Sequence, residues 1–141
     1  MSVFEKFLVP LDGSENSLDA LEQAVQMAKK FDSKMSLISV YSISAFRLTP
    51  SQVFESMIGL RKSGEAILEE GKKIAKSQGL LVETILKDGH AVEEIVKMAR
   101  DGNFDLIVIG AKGISKFKEI LLGSVSHGVT THASCPVLIV K

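Results

Sequence analysis

The sequence predicts an open, doubly wound α/β fold: a five-stranded parallel sheet in the order 3-2-1-4-5 with helices on both faces. Three observations lead there. Short apolar runs alternate with segments whose apolar residues recur at helical spacing, and right-handed crossovers turn that alternation into a parallel sheet. The first and fourth runs are apolar throughout, as central strands covered on both sides must be. The third run carries Glu83 and Thr84, which suits an exposed edge.

Each element has its own signal. Lys6–Leu11 (KFLVPL) is a buried strand, ended by the turn residues Asp12-Gly13-Ser14. From Ser17 to Phe31, Leu18, Leu21, Val25 and Ala28 share a helical face, and Lys29 and Lys30 complement the negative helix C-terminus. Lys34–Tyr41 (KMSLISVY) alternates as a second strand. A looser stretch, Ser42–Gln52, passes Pro50 into a long helix lined by Leu60, Ile67, Leu68, Ile74 and Ala75, with Gly79 placed to end it. Leu80–Leu86 (LLVETIL) is the third strand, and Asp88-Gly89 follows it. Val92, Ile95, Val96 and Ala99 then fall at i, i+3, i+4 and i+7 in a helix that stops near Gly102. Asp105–Gly110 is the fourth strand, Ser124–Ala133 a short helix, and Cys135–Val140 the fifth strand. No repeat or linker interrupts residues 1–141, which read as a single Rossmann-like domain.

That strand order leaves the fifth strand as the second edge of the sheet. Pro136–Val140 has no charge to guard its unpaired backbone, and an apolar edge of this kind has to be covered. A second subunit pairing edge to edge covers it in a twofold homodimer. A loop or helix of the same chain is the alternative.

Composition narrows the function class. The chain has 141 residues, enough to bury roughly 68–70% of its unfolded surface around one core without disulfides or metal. Seventeen basic residues balance seventeen acidic ones, so no global field recruits nucleic acid or a membrane surface. Cys135 is the only cysteine, which fits a reducing compartment. No apolar run approaches the roughly 18 residues of a membrane span. The expectation is a cytoplasmic protein.

In open α/β sheets a ligand sits beyond the carboxyl ends of the strands where the strand order reverses. Here that point lies between strands one and four, so Asp12–Ser14 and Gly110–Gly113 are expected at one crevice. The stretch Gly110–Ser124 (GAKGISKFKEILLGS) suits an anion there. Glycines permit positive φ and close approach, and exposed N–H groups in such a turn form an anion-binding concavity. Gly123-Ser124 opens a helix whose first N–H groups and dipole favour negative charge. Lys112, Lys116 and Lys118 add positive charge, opposed by Glu119. Asp12 suits a ribose hydroxyl or a bound Mg²⁺ better than phosphate. The same glycines also fit plain punctuation of a strand end and a helix start, and the P-loop pattern G-x-x-x-x-G-K-[ST] is absent.

The segments VPLDGSENSLDAL, DLIVIGAKG, LLGSVSHGV and ASCPVLIVK together resemble the universal stress protein family over nearly the whole chain. Gly110, Gly113, Gly123 and Ser124 fill the glycine, two residues, glycine, nine residues, Gly-Ser signature of that family's ATP-binding branch. The resemblance implies ATP as ligand, with Mg²⁺ held in part by Asp12. It implies that Pro10 lies near the adenine and that Val40 offers backbone groups to the adenine edge. It places Gly110, Lys112 and Gly113 along the ribose and phosphates, with Gly123, Ser124 and Val125 closing over the phosphate tail. It further implies a homodimer through the last strand and a nucleotide-dependent role in stress, exerted on an unidentified protein partner. Ser42–Gln52 is then the segment expected to respond to the ligand.

Two other functions compete. A slow ATP-hydrolysing enzyme needs a base and a metal clamp, and the sequence offers Asp12 alone. In a ligand-free interaction module the glycines are structural. His90 and His132 lack partners at metal spacing, Cys135 reads as an inert buried thiol, and Met27, Met35, Met57 and Met98 as core filling.

Overall fold

The computed structural model describes residues 4–42, 48–112 and 122–141. Its elements run β1 (Lys6–Pro10), α1 (Glu15–Phe31), β2 (Lys34–Tyr41), α2 (Pro50–Ser77), β3 (Glu83–Asp88), α3 (Ala91–Asp101), β4 (Leu106–Gly110), α4 (Ser124–His132) and β5 (Val137–Val140). The strands form one sheet in the order β3-β2-β1-β4-β5, and every neighbouring pair is parallel. This is the expected doubly wound order.

Alternation along the central strands explains the two layers. Successive side chains of a strand point to opposite faces. Phe7 and Val9 of β1, with Leu106 and Val108 of β4, join a core completed by Leu21 and Val25 of α1 and Leu68 and Ala75 of α2. Leu8, Ile107 and Ile109 point the other way, onto Ile95 and Ala99 of α3 and Val129 of α4. Both central strands are therefore buried on both faces, which is why they carry no polar alternation.

Local chemistry sets the helix ends. Ser14 caps α1, its Oγ accepting from the Ser17 amide at 3.1 Å. Thr49 and Gln52 form a reciprocal capping box around Pro50, the first residue of α2. Pro50–Gln52 are thus helical, and the connection expected over Ser42–Gln52 is shorter than the sequence indicated; its residues 43–47 lie outside the described residues. At the other end Gly79 adopts φ +88°, and the Leu80 amide donates to the Ala75 carbonyl at 2.9 Å.

That cap displaces the third strand from its expected position. Leu80–Leu86 is too early: Leu80 closes the helix, Leu81 is 78% exposed, and pairing with β2 begins at Glu83 opposite Ser36. Its edge position is as expected, with Glu83 and Thr84 exposed. Cys135 differs slightly from expectation, being half-buried rather than buried. Among the described residues no helix is long and apolar enough to cross a membrane.

Candidate functional site

The crevice lies where the topology requires it, at the carboxyl ends of β1 and β4. A cavity of about 270 Å³ opens there. Pro10 and Asp12 reach it from β1 and the turn beyond, and Val40 from the end of β2. Gly110 lines it from the end of β4 and Lys112 from the turn beyond, while Gly123, Ser124 and Val125 do so from the start of α4. Of the described residues expected at the crevice, these eight line one cavity, whereas Gly13, Ser14 and Ala111 are not among its lining residues. Gly113, Lys116, Lys118 and Glu119 lie outside the described residues.

Several lining residues were not foreseen. Ile38 of β2, Ile109 of β4 and Leu11, just beyond β1, line it, and Ala91 and Ile95 come from α3. In the sequence Ile95 is simply one residue of an apolar helical face. Its second exposure, to the crevice, depends on how α3 sits across the sheet, which periodicity does not encode. Ser17 and Ser126 add hydroxyls. The cavity thus combines an aliphatic lining with a few convergent polar groups, the composition usual for organic ligands.

The turn after β1 is built around Asp12. Its Oδ1 accepts from the Ser14 amide at 2.9 Å, a side-chain turn that lets Gly13 adopt φ +86° and delivers Ser14 to its capping position. Asp12 remains exposed. It is the only acidic residue among the described lining residues, and no histidine is among them. Nor is there any cluster of three or more His, Cys, Asp or Glu with metal-holding geometry among the described residues. Mg²⁺ characteristically keeps several waters and takes one or two carboxylates plus ligand phosphate oxygens, so a single Asp12 fits that donor set only with the phosphates present.

Gly110 is held differently from expectation. Its φ is not positive, so it supplies no left-handed turn. A Cβ on it would lie 2.8 Å from the Asn16 carbonyl oxygen and 2.9 Å from Asn16 Oδ1. The bare Cα makes room for Asn16 at the start of α1.

Ala111, the next residue, joins the two walls of the site. Its amide donates to the Val140 carbonyl of β5 at 2.8 Å. Its carbonyl accepts from the Gly123 amide at 2.6 Å and from the buried Ser126 hydroxyl at 2.7 Å. Gly123 is the N-cap residue of α4, and among the described residues no side chain caps the start of that helix. Unlike α1 and α2, α4 therefore opens toward the cavity with its first amides unclaimed by a capping side chain, the arrangement that favours an anion.

Comparison with known proteins gives a consistent family. The model of the universal stress protein family matches residues 4–141. Universal stress protein YxiE of Bacillus subtilis is 37% identical over 148 residues, spanning 99% of this chain and 100% of that protein. Universal stress protein UspA from Lactobacillus plantarum shares the fold with a TM-score of 0.89 over the full length of both chains, at 23% identity. A universal stress protein solved in complex with cAMP matches with a TM-score of 0.77 and 29% identity over 99% of each chain.

Proposed function

Because this chain belongs to the universal stress protein family, we propose that its crevice binds an adenine nucleotide, ATP with Mg²⁺ foremost, and that occupancy governs a regulatory role in stress. The observation that carries this proposal is the single cavity in which Pro10, Asp12, Val40, Gly110, Lys112, Gly123, Ser124 and Val125 converge. Pro10, Ile38, Val40, Ile95 and Ile109 offer an apolar bed for a base, which leaves base selection to backbone groups such as those of Val40. Lys112 and the uncapped start of α4 favour phosphates. Asp12 takes the ribose or one position on Mg²⁺. The cAMP complex of a relative supports an adenine nucleotide as the ligand class.

The cavity is close to the lower end of ligand pockets, about 300–1,000 Å³, so it suits the nucleoside with the phosphates extending along the rim. Binding is favoured over turnover, because hydrolysis requires a positioned base or water-orienting group beside the transferred phosphoryl and Asp12 is the one acid on the described lining. The rest of the proposal is a one-domain cytoplasmic protein that dimerises through Pro136–Val140 and signals to an unidentified protein partner.

Thermal unfolding with and without nucleotide tests the site. Saturation at 100 times the dissociation constant stabilises by about 2.7 kcal/mol, so ATP with Mg²⁺ raises the melting temperature by several degrees. Running AMP, cAMP and GTP beside ATP separates phosphate number from base identity. If none of them moves the transition, the nucleotide reading fails.

A further inference from the structure

We propose that Asn16 is a positioning residue of this site, clamping the turn after β4 between α1 and β5 although it is not among the residues that line the cavity. This proposal rests on the nucleotide reading for its consequence and on the structure for its geometry. Asn16 stands in the first turn of α1, directly behind the Ser14 cap. Its Oδ1 accepts from the Lys112 amide at 2.6 Å. Its Nδ2 donates to the Val140 carbonyl at 3.2 Å, the same carbonyl that receives the Ala111 amide.

The two bonds fix the side-chain orientation together. A flipped amide would set an NH₂ against the Lys112 N–H and an oxygen against the Val140 carbonyl, both repulsive. Only a carboxamide supplies an acceptor and a donor from one short side chain: Asp keeps the acceptor alone, and Ala keeps neither. Gly110 completes the device, because any Cβ there would meet Asn16 at 2.8–2.9 Å. Asn16 can approach the end of β4 only because residue 110 is glycine. One glycine of the family signature thus serves the clamp.

The consequence is specific to part of the ligand. Lys112 lies in the wall assigned to the phosphates, whereas Ile38, Ile95 and Ile109 are packed independently of Asn16 in the core between the sheet and α3. Loosening Lys112 should therefore weaken phosphate binding and spare the nucleoside. A general destabilisation would weaken both.

The test uses the full chain with Asn16→Ala and Asn16→Asp, titrated calorimetrically with ATP–Mg²⁺ and with adenosine, together with amide exchange at Lys112. Asn16→Ala is expected to lose about tenfold in ATP affinity with adenosine within about twofold, the size of one lost hydrogen bond. Its Lys112 amide exchanges faster than in the native protein, while Asn16→Asp, which keeps the acceptor, retains protection there. Equal loss for both ligands, no loss for either, or unchanged Lys112 exchange in Asn16→Ala overturns the proposal. Should the native protein bind no ATP, the nucleotide reading fails separately, and exchange at Lys112 still decides whether Asn16 holds the turn.

Discussion

Cys135 shows how a residue with no assigned chemistry still makes a measurable statement. It lies half-buried at the approach to β5, packed against the core that contains Ile107 and Val129. Desolvation raises its thiol above the ordinary range, and the charge of Asp105 raises it further. The sign follows directly. An acid with a raised folded-state pKa keeps its proton to higher pH than in the unfolded chain. The associated stability is complete below the unfolded thiol's pKa and is lost as pH rises through the folded value. The thiolate absorbance of the native protein is therefore expected to titrate at higher pH than that of the urea-unfolded chain, and an aromatic disulfide reagent to react more slowly with the native form at about pH 8. A native thiol that ionises earlier than the unfolded one would contradict this account.

At the scale of elements, α2 concentrates the contrasts. Its buried residues, Gly64, Leu68, Gly71 and Ala75, all fall in its second half. The first half presents Phe54 and Ile58 to solvent, at 58% and 40% exposure. Glycines in the two halves should answer oppositely to alanine. A Cβ at Gly59 meets nothing within 4 Å, so Gly59→Ala removes only the entropic cost of glycine in a helix and stabilises by about 0.5–1 kcal/mol. At Gly71 the same Cβ lies 2.5 Å from Leu11 Cδ1 and 3.0 Å from Leu37 Cδ1, both in the packed core. Gly71→Ala should destabilise by about 1–3 kcal/mol in urea unfolding, since overpacking forces neighbours off their rotamers. Opposite signs in the two melts check the account, and equal signs refute it. The boundary of β3 belongs to the same scale. Leu80–Val82 is as apolar as a strand, yet the αL cap at Gly79 consumes the Leu80 amide, and hydropathy carries no trace of that competition.

For the whole molecule, the sheet order was legible because the apolar interiors of β1 and β4 and the charged edge β3 constrain it, and the order in turn located the crevice. Asp12, Lys112 and Ser124 could be brought together from the sequence on that basis. The Asn16 clamp and the α3 wall could not, since both depend on how helices sit across strands rather than on any spacing along the chain. The other edge, β5, is uncharged along Val137–Val140, and Leu138 is 36% exposed. Under the proposed twofold dimer this strand pairs with its copy and hides that surface. Sedimentation of the native protein should then give twice the chain mass, and Leu138→Lys, which places a charge on the apolar edge strand that the dimer would cover, should give the monomer. The same strand reaches the ligand site, because the Val140 carbonyl receives both the Ala111 amide and Asn16 Nδ2. A monomeric Leu138→Lys variant that keeps its nucleotide-induced thermal shift would show that the site is complete within one chain; a native protein that sediments as a monomer would leave β5 covered by some other means and refute the dimer.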